Sequence, residues 1–224
     1  MSNIIHPTAI IGPDVRLGDG NTIGAYSIIE GNTIIGNNNE IGPHTIIGVA
    51  PTDTKHMTFD RQQLRIGDNN VIREFCVVEQ SCYEDETCIG SGVFMMQGVH
   101  LSHDNIVYDK VVITNHCVLG GIAKILEGSN LGMGCTINQY TIVGQYSIVA
   151  TGAACMKNVK PFSRYIPGKP ITVNTYAINK FGFVDYTDEI AAYVMDGATP
   201  VSPVLRQIIN VFDYWVAKYG HSTY

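Results

Sequence analysis

Large aliphatic residues recur at every sixth position along most of the chain. They occupy the first run from Ile5 to Ile47, a shorter run from Ile66 to Val78, and a third from Ile89 to Val149. A period of six fits neither the 3.6-residue repeat of a helix nor the simple alternation of an isolated strand. It predicts a parallel β-helix in which each hexapeptide forms one short strand and a turn, and three hexapeptides, or 18 residues, form one coil.

The predicted core is a column of aliphatic side chains that point into a triangular prism. The first run contains Ile5, Ile11, Leu17, Ile23, Ile29, Ile35, Ile41 and Ile47. Each residue should stack on its equivalent one coil later, about 4.8 Å away, as in ordinary strand pairing. Glycine and asparagine between these positions favour the tight corners that β-branched residues resist.

Two breaks in the rhythm predict loops that leave the prism. The first covers residues 51–64. Its charged side chains Asp53 and Lys55 could contact a ligand, so we expect binding residues there. The second covers residues 80–87 and carries three acidic residues in succession, Glu84, Asp85 and Glu86. Its pattern fits a solvated excursion as well as a functional loop.

The repeat stops near Lys157, and an extended segment from Lys160 to Pro170 follows. We therefore expect residues 1–168 to form the β-helix, with excursions at 51–64 and 80–87, and residues 169–224 to form a small helical extension. Thr187 predicts the N-cap of one helix, and Ser202-Pro203 predicts the start of another. The second helix has an apolar face that needs cover, either from the prism wall or from the same helix of neighbouring subunits. That face consists of Leu205, Ile208, Ile209, Phe212, Trp215, Val216 and Tyr219.

Composition narrows the function. The 224 residues carry a formal charge of −6 without a basic stripe, which argues against nucleic-acid binding. The first residues form no signal peptide, and no apolar run is long enough to cross a membrane, so a cytoplasmic protein without a transmembrane segment is expected. The six cysteines form no C-x-x-C pair, which favours small core side chains over a disulfide framework or a zinc cage.

The 18-residue coil places His103, Gly121 and Gln139 one above another on the same wall. A histidine beside a carboxylate, here Asp104, is the usual pairing of a general base. A neighbouring glycine leaves its backbone N–H open to a developing oxyanion, and the amides of Asn138 and Gln139 can hydrogen-bond a sugar or a pantetheine group. A histidine satisfied within its own turn is the structural alternative.

A zinc hydratase is a second alternative for histidines on such a prism. A catalytic zinc needs three protein ligands. The candidates His100, His103 and His116 do not fall into one stacked column, so we predict no metal site.

The segment from Met95 to Asp104, together with Thr114–Gly121 and Asn138-Gln139, resembles the catalytic region of the acyl-carrier-protein-dependent UDP-N-acetylglucosamine O-acyltransferases of lipid A synthesis. The likeness extends over residues 5–183. It implies a left-handed β-helix, against the usual right-handed crossover of parallel strands. It also implies a homotrimer with active sites between subunits, a UDP-linked amino sugar and acyl carrier protein as partners, and no tightly bound cofactor.

The same resemblance implies roles for individual residues. It makes His103 the general base, Asp104 its partner and Gly121 the oxyanion donor. The substrate-binding candidates are Asp53, Lys55, Glu79, His100, Asn138, Gln139 and Lys180. The acyl-pocket candidate is Thr151. By their charge rather than by the resemblance, Lys157, Lys160, Arg164 and Lys169 are the donor-docking candidates, for acyl carrier protein or equally for the phosphates of coenzyme A.

This chain also departs from that family. Ile122, Asn138 and Glu79 stand where the family usually has histidines, and Thr151 stands where a glycine often sets the depth of the acyl pocket. The segment Ile166–Pro170 resembles the closing motif of acetyltransferases that use acetyl-CoA. Acetyl transfer from coenzyme A to a nucleotide-linked amino sugar therefore remains open beside transfer from acyl carrier protein, and a noncatalytic trimeric solenoid is the alternative from another class.

Overall fold

The computed structural model describes residues 2–54 and 62–224. Lys55, which the sequence places in a substrate-binding loop, lies outside the described residues, as does half of that loop. Within the part that is described, the chain forms 25 short strands, numbered β1–β25 in chain order, followed by a helical region.

The strands form three sheets, and successive strands of the chain belong to different sheets. The first sheet contains β1 (Ile4–Ile5), β4 (Thr22–Ile23), β7 (Glu40–Ile41), β10 (Val71–Ile72), β13 (Phe94–Met95), β16 (Val112–Ile113), β19 (Asn130–Leu131), β22 (Ile148–Val149), β24 (Ser163–Tyr165) and β25 (Thr172–Val173). The second contains β2 (Ile10–Ile11), β5 (Ile28–Ile29), β8 (Ile46–Val49), β11 (Val77–Glu79), β14 (His100–Leu101), β17 (Val118–Leu119), β20 (Thr136–Ile137) and β23 (Ala154–Cys155). The third contains β3 (Arg16–Leu17), β6 (Thr33–Ile35), β9 (Leu64–Ile66), β12 (Thr87–Ile89), β15 (Ile106–Val107), β18 (Lys124–Ile125) and β21 (Ile142–Val143).

The strand register confirms the predicted 18-residue stacking. Leu101 of β14 pairs with Leu119 of β17, and Leu119 pairs with Ile137 of β20. These residues belong to one continuous core that runs the length of the prism. Only the final pair, β24 with β25, is antiparallel among the strand pairs of the described residues.

The helical region begins at α1 (Thr175–Lys180), which the sequence analysis did not anticipate. A short 3₁₀ turn (Val184–Tyr186), α2 (Thr187–Ala191) and a π-helical turn (Ala192–Asp196) follow. The prediction that Thr187 caps a helix was wrong, because Thr187 is the first helical residue and its hydroxyl donates to the carbonyl of Val184 at 2.7 Å. The preceding 3₁₀ turn already positions the chain, so no side-chain cap is used there.

The last helix, α3 (Pro203–Tyr219), begins as predicted. The side chain of Ser202 accepts a hydrogen bond from the N–H of Leu205, and Pro203 occupies the first turn. The prism wall of the same chain covers the apolar face, because Phe212 and Trp215 pack with Leu126 and Ile142. The Trp215 ring N–H also donates to the Tyr108 hydroxyl at 3.0 Å, which satisfies a polar group at this buried contact.

Among the residues described, no helix is long and apolar enough to cross a membrane.

Candidate active site

His103 and Asp104 lie at the corner of the prism that follows β14. His103 Nδ1 is 2.7 Å from Asp104 Oδ2, and the Asp104 side chain is fully buried. Asp104 has a φ of 61°, a left-handed conformation that recurs at corners of this prism, including His116, Ile122 and Tyr140, and that aspartate adopts more readily than most residues. The corner therefore turns the carboxylate back onto the imidazole of the preceding residue.

The acidic loop that precedes β12 fixes the Asp104 carboxylate. The backbone N–H of Cys82 donates to Asp104 Oδ1 at 2.8 Å, that of Glu84 at 3.0 Å, and that of Tyr83 reaches both oxygens at 3.1 and 3.2 Å. The sequence left this segment open between a solvated excursion and a functional loop. It is part of the site, and its backbone holds the carboxylate in place.

These contacts set the charge states of the dyad. Burial by itself raises the pKa of Asp104, but the hydrogen bonds from His103 and from the loop N–H groups outweigh it, so the net pKa is lowered. The hydrogen bond to Asp104 raises the pKa of His103 against the opposing effect of burial. With Asp104 ionised, Nδ1 of a neutral His103 carries the proton and Nε2 is left to accept one.

Gly121 lies directly beneath the His103 ring. A Cβ atom at position 121 would stand 2.5 Å from His103 Cε1 and 2.6 Å from Nε2, so the ring and a side chain cannot share the space. Within the described part of the chain, the Gly121 N–H donates to no acceptor, whereas the N–H of Gly120 is bound to the carbonyl of Ile137 at 2.9 Å. Gly121 thus offers a hydrogen-bond donor next to His103.

Glu79 is buried behind the dyad and joins three parts of the site. Its carboxylate accepts from the Thr52 hydroxyl at 2.7 Å and from the backbone N–H of His103 at 3.0 Å, and it lies 3.2 Å from His100 Nε2. Burial raises the pKa of Glu79, but the bonds from His100 and Thr52 dominate and lower it overall. The structure therefore gives this predicted substrate residue a role in holding the first loop and His103 together.

Asp53 and Tyr83 stand over the open nitrogen of His103. Asp53 Oδ2 lies 4.0 Å from His103 Nε2, and the Tyr83 hydroxyl donates to Asp53 at 2.7 Å. The Tyr83 ring is tilted against the imidazole, with centroids 5.6 Å apart. Sequence reasoning identified Asp53 but missed Tyr83, because the repeat carries no information about the path of an irregular loop.

A cleft of about 310 Å³ opens beside Gly121 on the second sheet. The two predicted amide residues, Asn138 and Gln139, line it. The remaining lining residues are Val118, Gly120, Gly121, Thr136, Ile137 and Met156. Val118 and Met156 are exposed there, so the cleft presents an apolar surface next to the candidate base.

The other predicted residues lie outside this cleft. Thr151 is exposed at a corner, and Lys180 is exposed at the end of α1, where it lies against the rings of Tyr176 and Phe181. The proposed donor-docking residues are not joined by any contact that the described residues show. Lys157 lies over Tyr224 and Lys160 over Tyr193, while Arg164 and Lys169 are exposed on and after β24.

Lys124 was missed by the sequence analysis. It belongs to β18 and is fully buried, and its Nζ donates to the backbone carbonyl of Asp104 at 2.7 Å. Burial lowers its pKa to about 8. Its place in a hexapeptide strand gives no sign of burial, because the residue before each inward aliphatic normally faces outward.

In the described part of the chain, no three histidine, cysteine, aspartate or glutamate side chains are arranged to hold a metal ion.

Comparison with known proteins first gives the class. A family model described as bacterial transferase hexapeptide (six repeats) matches residues 14–48. The solved structure of LpxA from Acinetobacter baumannii superposes with a TM-score of 0.72 and 25% identity, covering 95% of each chain. The protein is a hexapeptide-repeat acyltransferase, and the predicted left-handed parallel β-helix with a small helical region is confirmed.

Curated relatives then give the family. An acyl-[acyl-carrier-protein]–UDP-N-acetylglucosamine O-acyltransferase from Thiobacillus denitrificans is 34% identical over 201 residues, which cover 80% of this chain and 78% of that protein. The enzyme of the same name from Verminephrobacter eiseniae is 31% identical over 206 residues, covering 82% and 78%. The chain belongs to this family of acyltransferases.

Proposed function

We propose that this protein transfers an acyl group from the thioester of acyl carrier protein to a hydroxyl or amine of a UDP-linked amino sugar, with His103 as the general base. The observation that carries the proposal is the His103–Asp104 dyad directly above Gly121, whose N–H donates to no acceptor among the described residues, at the edge of an apolar cleft. The names of the relatives support the donor and the sugar nucleotide.

Direct attack accounts for the reaction without a covalent enzyme intermediate. His103 Nε2 takes the proton from the acceptor O–H or N–H as that atom attacks the thioester carbonyl carbon. The carbonyl oxygen becomes an oxyanion and accepts a hydrogen bond from the Gly121 N–H. When the tetrahedral intermediate collapses, the C–S bond breaks and the imidazolium returns the proton to the leaving sulfur, which departs as a thiol.

Asp104 and Asp53 lie next to different nitrogens of the His103 ring, Asp104 at Nδ1 and Asp53 near Nε2. Asp104 keeps the proton of neutral His103 on Nδ1 and stabilises the imidazolium that forms during transfer. We assign orientation of the acceptor to Asp53, which lies near Nε2, and to Lys55, which the sequence alone suggests.

The cleft favours an acyl chain longer than acetyl. Its exposed side chains Val118 and Met156 provide an apolar surface from Gly121 along the second sheet. A two-carbon acetyl group would leave that surface in water, whereas a longer chain would cover it. Thr151, an exposed corner residue in the coil that follows, is the proposed limit of chain length.

The carrier protein and the assembly complete the proposal. We assign the landing site of acidic acyl carrier protein to Lys157, Lys160, Arg164 and Lys169, by complementary charge. In a homotrimer, we assign the exposed Lys180 of one subunit to the UDP-linked sugar bound at its neighbour, together with Gln139. The cytoplasmic location predicted from the sequence belongs to this proposal, as does the absence of a tightly bound cofactor.

The test is thiol release by the purified protein. UDP-N-acetylglucosamine and its 3-amino analogue are each combined with 3-hydroxyacyl carrier proteins of several chain lengths or with acetyl-CoA. We expect release with the carrier protein and a loss on the order of 10²-fold or more in His103→Ala. Release with acetyl-CoA alone would reassign the donor, and equal turnover by folded His103→Ala and wild-type protein would remove His103 as the base.

A further inference from the structure

A lysine is buried beneath the catalytic corner at a position where an apolar residue would fit the fold. In the third sheet, Lys124 pairs with Ile106 on one side and Ile142 on the other, and both isoleucines occupy the same register. Lys124 is fully buried, with Nζ 5.2 Å from the ring centroid of Trp215 and 5.5 Å from that of Tyr219. Removing an ammonium group from water is costly, and an apolar residue of similar volume often serves stability as well or better.

The one side-chain hydrogen bond that Lys124 makes within the described residues points to the site. Its Nζ donates to the backbone carbonyl of Asp104 at 2.7 Å. That carbonyl belongs to the residue whose left-handed backbone turns the carboxylate onto His103. Lys124 therefore holds the backbone of the dyad, and the two rings of α3 close over the ammonium group and exclude water from it.

Helix α3 also holds the opposite side of Asp104. Lys218 Nζ lies 2.8 Å from Glu84 Oε2, and the Tyr219 hydroxyl donates to Glu84 Oε1 at 3.1 Å. The backbone N–H of the same Glu84 donates to the Asp104 carboxylate. The helix thus reaches Asp104 through the loop, while Lys124 reaches it from beneath.

We propose that Lys124 and the Glu84 contacts of helix α3 are positioning elements for acyl transfer, which together hold Asp104 in the orientation that aligns His103. The inference rests on the proposed role of His103 as the base. Neither Lys124 nor Glu84 touches the reacting atoms. Their effect is on the alignment of the base, so it acts on kcat, while the cleft and the first loop, which bind the substrates, remain unchanged.

The first experiment reverses the charges of the Glu84–Lys218 pair. A lysine at position 84 keeps the backbone N–H that donates to Asp104, so the substitution tests only the tie to α3. Glu84→Lys and Lys218→Glu should each lower kcat on the order of tenfold, within the roughly 10²-fold cost of a 1 Å misplacement. The double variant restores an opposite-charge pair and should recover most of kcat, with KM and the melting temperature close to wild type.

The second experiment compares two side chains of equal length at position 124. Lys124→Gln keeps a donor for the Asp104 carbonyl, whereas Lys124→Met does not. We expect Lys124→Met to lower kcat about tenfold or more at unchanged KM, and Lys124→Gln to retain more of it. A stability role alone would lower the melting temperature of the variants but would not separate Gln from Met in kcat.

A matched control is the exposed Lys110–Glu127 pair, whose N–O distance is 2.9 Å and which lies outside the site. Glu127→Lys should leave kcat unchanged. Wild-type kcat in both Glu84→Lys and Lys124→Met, measured where His103→Ala is inactive, would overturn the positioning role and leave the proposed function standing. Equal activity of His103→Ala and wild type would instead remove the base itself.

Discussion

The His103 ring leaves no room for a side chain at position 121, where the chain has glycine. The imidazole occupies the space in which a Cβ at position 121 would stand, with His103 Cε1 only 2.5 Å from that point. The two residues are 18 positions apart in the sequence and come together because each coil stacks on the next. The glycine therefore provides both the room for the His103 ring and an N–H beside it.

Gly121→Ala should inactivate the enzyme without unfolding it. The new methyl group would push the His103 ring away from the acceptor, and we expect turnover to fall on the order of 10²-fold. Thiol release measures the loss, and circular dichroism during heating reports the fold. Gly12→Ala, at an N-terminal coil remote from the site, is the control and should retain turnover. Full activity in Gly121→Ala would contradict the close packing of ring and glycine.

The pH profile should report the Asp104–His103 bond. His103 must be neutral to act as a base, and the hydrogen bond to Asp104 raises its pKa above the ordinary value of about 6.5. The acid limb of kcat/KM should therefore have its midpoint above pH 6.5. In Asp104→Asn the negative charge is gone, so the midpoint should move to lower pH while the maximum falls on the order of 10²-fold or more. An unmoved midpoint would show that the limb belongs to another group.

Lys124 should make the free energy of unfolding depend on pH in the alkaline range. Burial lowers its pKa to about 8 from about 10.5, so between these values the unfolded chain binds more protons than the folded one. Stability contributed by this group therefore rises with pH across that window, by at most about 3 kcal/mol. Because the tyrosines also titrate there, the quantity to compare is the free energy of unfolding of wild type minus that of Lys124→Met. The groups that face the ammonium are Glu84, Asp104, Lys218, Cys88 and Tyr219.

That difference should grow more favourable to wild type from pH 8 to pH 10 in urea denaturation. A constant difference would mean that Lys124 keeps an ordinary pKa in the folded protein.

Phe212 should be a main anchor of helix α3. It is 4% exposed and packs with Leu126 and Ile142 of the prism wall. Phe212→Ala should lower the free energy of unfolding by about 3–5 kcal/mol, as expected for a large buried aromatic residue. Tyr214, on the same helix and 60% exposed, is the control, and its replacement by alanine should cost well under 1 kcal/mol.

The repeat predicted both the fold and the part of the site that lies on it. Contacts in a β-helix join residues one coil apart, so a period of six fixes which residues face inward and which stack. His103, Gly121 and the amides of Asn138 and Gln139 could be placed in one region on that basis. The N-cap at Ser202 was also predicted correctly, because it depends only on the adjacent residues Ser202 and Pro203.

Features that depend on irregular segments could not be predicted from the period, because these segments do not follow it. The acidic loop contacts Asp104 through the backbone N–H groups of Cys82, Tyr83 and Glu84. Every residue except proline has such a group, so residue types do not predict these contacts. Thr187 was misassigned as a cap because the preceding 3₁₀ turn already positions that helix.

The sequence by itself determined the prism, its inward column and the alignment of His103 with Gly121, since these depend on a short period repeated many times. Only the tertiary structure decided what holds Asp104. Lys124 is buried because a helix about 90 residues later packs on it, and Glu84 is tied to Lys218 across 134 positions. Such contacts depend on where α3 docks, and the apolar face of α3 shows only that it must be covered, not which wall covers it.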